Sequence, residues 1–195
     1  MTISANGRLF DRLERLATGR AGIVVLVIWG FGEALFLPIV PDVLLYLLAA
    51  AAPRRALVLF ASVIASALAG TIVLYGLALA APEVAERLVL SVPGIDRAML
   101  EAARQLLAPG DPLALAAFGP GTPLKVDTVA WAAGSGTWLG LLAGVVLNRI
   151  ARIGPGLLVA AIVGWRAAAW IRGHDRVVLV VYVVGWVILY AVYLS

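Results

Sequence analysis

Gly30-Phe31-Gly32-Glu33-Ala34-Leu35-Phe36-Leu37-Pro38-Ile39-Val40-Pro41-Asp42-Val43-Leu44-Leu45 is an apolar run broken by two carboxyl groups, Glu33 and Asp42, and two prolines, Pro38 and Pro41. Nothing else between Ala21 and Pro53 is charged. Proline lacks an N–H and disfavours helix in the residue before it, so a helix entering from Ala21 is expected to end near Leu37. A second helix then starts after Pro41. The first piece is about long enough to cross a bilayer. The second, Pro41 to Ala52, has 12 residues. At about 1.5 Å per residue it reaches roughly 18 Å, short of the roughly 30 Å hydrocarbon core. The expected form is a re-entrant hairpin tipped by Pro38 and Pro41, because broken backbone at membrane depth is tolerated only inside protein or beside a wet cavity.

The pattern recurs further along. Leu113 to Gly134 starts apolar, meets Gly119-Pro120-Gly121 and Pro123, then Lys125 and Asp127, and ends rich in alanine. Neither half spans alone, so a second hairpin tipped by Pro120 and Pro123 is expected. Each hairpin precedes a long apolar run. Ala56 to Ala81 has no charge, and Ser62, Ser66 and Gly70 recur every four residues, a face suited to close helix packing. Trp138 to Trp165 holds Asn148, Arg149 and Arg152. Hydropathy alone also accepts a span over 128–148; the Gly134-Ser135-Gly136 break favours a start near Trp138. Val177 to Ser195 is a final uncharged run.

Three polar segments complete the chain. Leu9, Leu13 and Leu16 mark an amphipathic N-terminal helix on the membrane surface, with Asp11 and Arg15 paired at i,i+4. Its acids argue against a cleaved leader. Pro82 to Pro112 is polar; Pro93-Gly94 marks a turn, and after it a surface helix with Ile95, Met99, Ala102 and Leu106 on one face is expected. Arg166 to Arg176 is a polar connection holding the only histidine, His174, expected to be solvated. The fold expected is therefore an all-α integral membrane protein, a single domain over 1–195. Residues 1–20 form the surface helix, 21–81 the first hairpin and span, and 82–112 the second surface helix. Residues 113–165 form the second hairpin and span, and 166–195 the connection and last span. Two broken segments in corresponding positions point to an inverted repeat with its site between the repeats. The arginines at the N-terminus, at 54–55 and at 166–176 place those segments inside and Pro82–Pro112 outside.

Composition agrees. The 195 residues are 63% hydrophobic and 13% charged, with a mean hydropathy of +1.03. Soluble domains sit nearer half apolar and about a quarter charged. The net charge of +4 comes from cations flanking apolar runs rather than from a basic stripe, so nucleic acid is not expected as a partner. With one histidine and no cysteine there is no nucleophile–base pair, and no nucleotide-binding glycine loop is present, so no enzyme, cofactor or metal site is expected. The richness in arginine and alanine hints at a bacterial chain.

Phe31-Gly-Glu33-Ala-Leu-Phe-Leu-Pro38-Ile-Val-Pro41-Asp42-Val-Leu-Leu resembles the first signature of the DedA family, also called the VTT or SNARE-associated family. Pro123-Leu-Lys125-Val-Asp-Thr128-Val-Ala-Trp-Ala-Ala133-Gly134 resembles its second. The Pro-x-Lys form, Pro53-Arg54-Arg55-Ala56 and Asn148-Arg149 are most similar to the YqaA-like branch. The resemblance covers about residues 22 to 165. It implies two opposed re-entrant hairpins in an inner membrane, and movement of phospholipids or polyprenyl phosphates with dependence on a proton gradient. Glu33 and Asp42 match the acidic positions, Lys125 a basic position of the second hairpin, and Arg149 one of the following helix. Where many members carry an arginine before the second hairpin's proline, Phe118-Gly119 stands here.

Ionised groups in hydrocarbon must be paired, hydrated or neutralised. Glu33 and Asp42 are therefore either proton-binding groups on a transport path or structural partners, with Asp42 also a natural helix N-cap. Lys125, Arg149 and Arg152 either hold an anionic headgroup or neutralise the acids. Asp127, two residues from Lys125, reads as its local partner. The expected function is the movement or scrambling of an anionic lipid, with membrane lipids as partners and a proton or cation as coupling ion. The alternative is a membrane scaffold or a small-solute carrier whose buried charges are structural.

Overall fold

The computed structural model describes residues 8–117 and 122–194. All regular structure among them is helical. In chain order the helices are α1 (Arg8–Thr18), α2 (Arg20–Leu35), α3 (Asp42–Ala51), α4 (Ala56–Ala80), α5 (Pro82–Leu90), α6 (Arg97–Leu107), α7 (Pro112–Ala117), α8 (Leu124–Ala132), α9 (Trp138–Gly173) and α10 (Asp175–Leu194). A short 3-10 turn, Pro53–Arg55, leads into α4. Among the described residues three stretches are long and apolar enough to cross a membrane: Pro53–Ala80, Trp138–Gly173 and Asp175–Val192. The bent pair α1–α2, turned through 80° at Gly19, makes up to four. The protein is thus an all-helical membrane protein.

The breaks fall where the prolines put them. α2 stops at Leu35 and α3 starts at Asp42, leaving 36–41 irregular. α3, ten residues long, reaches about 15 Å. The second apolar stretch is divided into α7 and α8, six and nine residues long. α9 starts at Trp138, as the glycine-rich break suggested.

The chain forms two compact units. One comprises residues 27–41 and 62–155. Its apolar core gathers Ala34, Ala67 and Leu74 with Ala85, Val89, Leu100, Ala103 and Leu107, and with Val126, Val129, Ala130 and Trp131 of α8. Small residues let α2 and α4 meet. A methyl at Gly70 would come within 2.6 Å of Ala34 Cβ and 2.9 Å of Phe31 O, and one at Gly30 would strike Ser66 Oγ. Glycine also closes the far end of α8. Gly110 (φ +74°) lies against the backbone of Gly136, which in turn lies under the indole of Trp131. There Ser135 donates its N–H and hydroxyl to Ala108 O at 3.3 and 2.9 Å.

In the segment Pro82–Pro112 the turn falls at Pro93-Gly94 as expected, with a helix, α5, before it as well as α6 after it, and both pack on α8. The face of the later helix departs from expectation. The inward face of α6 is Leu100, Ala103 and Leu107, while Ala102 and Leu106 are exposed. Asp96 is the reason. Its side chain accepts the Met99 N–H at 2.7 Å as an N-cap, which fixes where the helix begins and so which residues turn inward. Arg104 ties the two helices, donating to Glu86 and Glu101 at 2.7 Å each.

The other unit comprises residues up to 26, 42–61 and 156–195. Here α1 packs on α3 and α10, and Phe10 shares a small apolar cluster with Ala51 of α3, Ile171 of α9 and Val178 of α10, so Phe10 joins the leucines as an inward residue of the N-terminal helix. Leu9 N–H donates to Asp175 Oδ2 at 3.1 Å, Arg172 pairs with Glu14 at 2.7 Å, and Arg55 donates to Thr18 O at 2.6 Å. Gly164 lies against the Ala50 backbone, its would-be methyl 2.6 Å from the Ala50 carbonyl carbon, and Gly156 lies against Tyr46. Tyr182 donates its hydroxyl to Val43 O at 2.7 Å. His174 is exposed, stacked on Trp170 with centroids 5.0 Å apart.

Candidate functional site

The ends of broken helices carry backbone dipoles with nothing of their own to satisfy them. At the end of α2, Leu37 N–H folds back to Gly32 O at 2.8 Å, and Trp29 Nε1 donates to Ile39 O at 2.8 Å, pinning the irregular strand of chain. The Leu37 carbonyl, at the negative end of α2, accepts from Lys125 Nζ at 3.0 Å. Lys125 stands in the first turn of α8, the positive end of that helix. Its charge is thus unfavourably placed on its own element and favourably placed on the other. Asp127, also in the first turn of α8, lies where a helix dipole favours an anion.

Glu33, in the last turn of α2, forms a direct ion pair with Arg149 of α9 through Oε2 and Nη2. Both are shut in, as are Lys125 and Asp127: exposures are 1% for Glu33, Lys125 and Asp127 and 0% for Arg149. Arg149 Nε and Nη1 have no hydrogen-bond partner among the described residues, nor does Asp127 Oδ1. Buried polar groups are as a rule satisfied, so three open positions within one cluster are unusual. Arg152, one turn beyond Arg149, is half-buried, and its charge acts on Asp127 and Lys125. Asn148, beside Arg149, donates to Leu115 O at 3.2 Å and so holds the last turn of α7.

Of the residues singled out from sequence, Glu33, Lys125 and Arg149 are thus brought together, with Arg152 at the edge. Asp42 is buried at the first position of α3, in the other of the two units. Pro38 is exposed and Pro41 buried at the first break; Pro123 is half-buried as the residue before α8. Pro120 lies outside the described residues. The sequence reading underweighted Asp127. An acid at the start of an apolar nine-residue helix is the signal that marks it, since such a helix has no wet face to turn it towards.

Chemically, the cluster offers a guanidinium with two open nitrogens, an ammonium and a carboxyl with an open oxygen, all away from water. Such a set can hold an oxyanion and exchange a proton. No family model, no curated protein and no solved structure matches this chain.

Proposed function

We propose that the protein carries the anionic head of a lipid, a phospholipid or a polyprenyl phosphate, across the bilayer of a bacterial inner membrane, as the resemblance to the DedA family implies. In this reading the break at 36–41 and the one between α7 and α8 are the tips of two opposed re-entrant hairpins of an inverted repeat. The observation that supports it is Arg149, fully buried and joined to Glu33, with two further nitrogens that find no acceptor among the described residues. A headgroup oxyanion supplies what those nitrogens lack, and a guanidinium is the side chain best shaped to hold phosphate. The tails stay in hydrocarbon while the head uses the polar interior at the helix breaks.

The test is dithionite quenching of fluorescent phospholipid in proteoliposomes, with a parallel assay for a polyprenyl phosphate. Wild type is expected to equilibrate the leaflets faster than empty liposomes, and Lys125→Ala and Arg149→Ala to lose most of that gain. Wild type indistinguishable from empty liposomes in both assays, with and without a pH gradient, overturns the reading. A membrane scaffold is the second reading, favoured by the mutual neutralisation of Glu33 and Arg149 away from solvent. It expects folding defects in the same variants and no lipid movement in wild type.

A further inference from the structure

We infer that a cavity beside α1 binds one hydrocarbon chain of an anionic membrane phospholipid, held as a resident of the protein rather than as cargo. The site lies wholly in the unit that contains α1, α3, α10 and the part of α9 from Gly156 onward. It does not rest on the lipid-head reading, whose residues Glu33, Lys125 and Arg149 belong to the other unit.

The cavity measures about 340 Å³, within the roughly 300–1,000 Å³ of ordinary ligand sites. Phe10 and Leu13 of α1, Leu47 of α3, Val159 and Val163 of α9 and Leu179 of α10 line it. Gly156 and Gly164 bring α9 against Tyr46 and Ala50 of α3 at two points, about 12 Å apart along the helix. The lining residues of α9 lie between those points.

The few polar groups of the lining are already engaged. The Tyr182 hydroxyl donates to Val43 O, and the Asp175 carboxylate accepts the Leu9 N–H. Tyr46 also has a partner. Water or a polar solute would find nothing there to bond, and apolar cavities of about 150 Å³ stay dry and take up apolar molecules. A lipid head could not be passed along such a wall either, so the site suits a chain and not a cargo head. Hydrocarbon is at hand. Val159 and Val163 are 61% and 45% exposed, so the cavity opens on the outer face of a stretch long and apolar enough to cross the membrane.

Charge selects the lipid. This unit holds nine of the fifteen cations of the chain but only four of its eleven acids. Two of those acids, Asp42 and Asp175, are buried, and the other two, Asp11 and Glu14, both face Arg172. Six further arginines, Arg12, Arg15, Arg20, Arg54, Arg166 and Arg176, are exposed. The Arg172 guanidinium lies 5.5 Å from the ring centre of Phe10, which lines the cavity, so charged surface begins where the cavity ends. Arginine clusters on and around an amphipathic helix attract anionic lipid heads.

The experiment uses full-length protein in phosphatidylcholine liposomes with two trace probes. One is a phosphatidylglycerol and the other a phosphatidylcholine, with identical chains carrying a diazirine near one end. After illumination, mass spectrometry locates the adducts. The phosphatidylglycerol probe is expected to mark Leu47, Ala50 and Val163 well above Val180 and Val187 on the exposed face of α10. Its ratio of cavity to α10 adducts should exceed that of the phosphatidylcholine probe at least about fivefold, the preference that one arginine near the head supplies. Ala160→Phe puts a ring into the cavity and should bring the ratio down to that of the phosphatidylcholine probe. Adducts spread evenly over the exposed apolar faces, or equal ratios for the two probes, overturn the inference. So does a ratio unchanged in Ala160→Phe; if that variant does not fold, the two probes on wild type decide. Cavity adducts lost in a folded Lys125→Ala protein show that the chain belongs to cargo, which also overturns it. Wild type that moves no lipid but keeps the adducts loses the lipid-head reading alone, and wild type that moves lipid without them loses only the resident lipid.

Discussion

Replacing Glu33 by Met leaves the Arg149 guanidinium buried with no anion, and a guanidinium cannot escape by losing its proton. Removing one partner of a buried pair costs about 3–5 kcal/mol. For a chain of this length, about 2–4 °C of melting temperature goes with each kcal/mol, so Glu33→Met is expected to melt about 6–20 °C below wild type in detergent. Arg149→Met should cost less and depend on pH. It strands a carboxyl that can take a proton, and it also removes two nitrogens that have no partner among the described residues. The double replacement Glu33→Met/Arg149→Met puts two apolar chains of fair volume in place of the pair and should recover most of the loss, as such swaps often do. Melting curves of the four proteins at two pH values complete the cycle. A Glu33→Met protein within about 2 °C of wild type, or a double variant no better than Glu33→Met, refutes the view that this pair is fully desolvated.

Glycine positions divide sharply. Gly164→Ala drives a methyl into the Ala50 carbonyl group and should destabilise by about 1–3 kcal/mol. Gly76→Ala meets nothing within 4 Å inside α4 and should stabilise by about 0.5–1 kcal/mol, both read as shifts in melting temperature. Asp96→Ala removes the cap of α6 and should cost about 0.5–2 kcal/mol; an unchanged melting temperature contradicts the cap. The hydrogen bond from Arg104 holds the Glu86 carboxyl below its ordinary value of 4.5, against a smaller opposing effect of burial. A depressed folded value means the stabilisation is present above pH 4.5 and is lost as pH falls through the lower folded value. Melting curves taken downward from pH 6 should show that loss in wild type and a smaller one in Glu86→Gln, of about 0.2–1 kcal/mol for a partly exposed surface pair.

What could be seen in the sequence was what proline and burial make unavoidable. Pro38 and Pro41 had to end one helix and start another, and Gly134-Ser135-Gly136 had to precede a new one at Trp138. An acid such as Glu33 in an uncharged run needed a cation, and few lay in comparable runs, so Arg149 was already a named candidate. Choosing it over Lys125 was beyond sequence, because a lysine amine is satisfied equally well by a carbonyl, here that of Leu37. The inward face of α6 was misplaced because hydrophobic spacing there fits more than one register; the capping aspartate, not the pattern, selects Leu100, Ala103 and Leu107. Asp127 was hidden by its nearness to Lys125. Two residues apart on a helix do not face each other, which is a geometric fact that chain distance conceals.

The short helix α3 also bears on how the protein is made. It has too few residues to cross the bilayer, and what receives it is encoded late. The Tyr182 hydroxyl that takes up the Val43 carbonyl lies 139 residues downstream, and the Gly164 surface that fits Ala50 is more than a hundred residues away. At about 5–20 residues per second, a ribosome needs about 7–28 s to supply that tyrosine after Val43 has been made. During that interval α3 has left the exit tunnel without its seat, neither spanning nor packed. The insertion machinery must shelter it, and a nascent Ala50→Cys chain arrested before Gly156 should show that position open to a thiol reagent that the finished protein excludes.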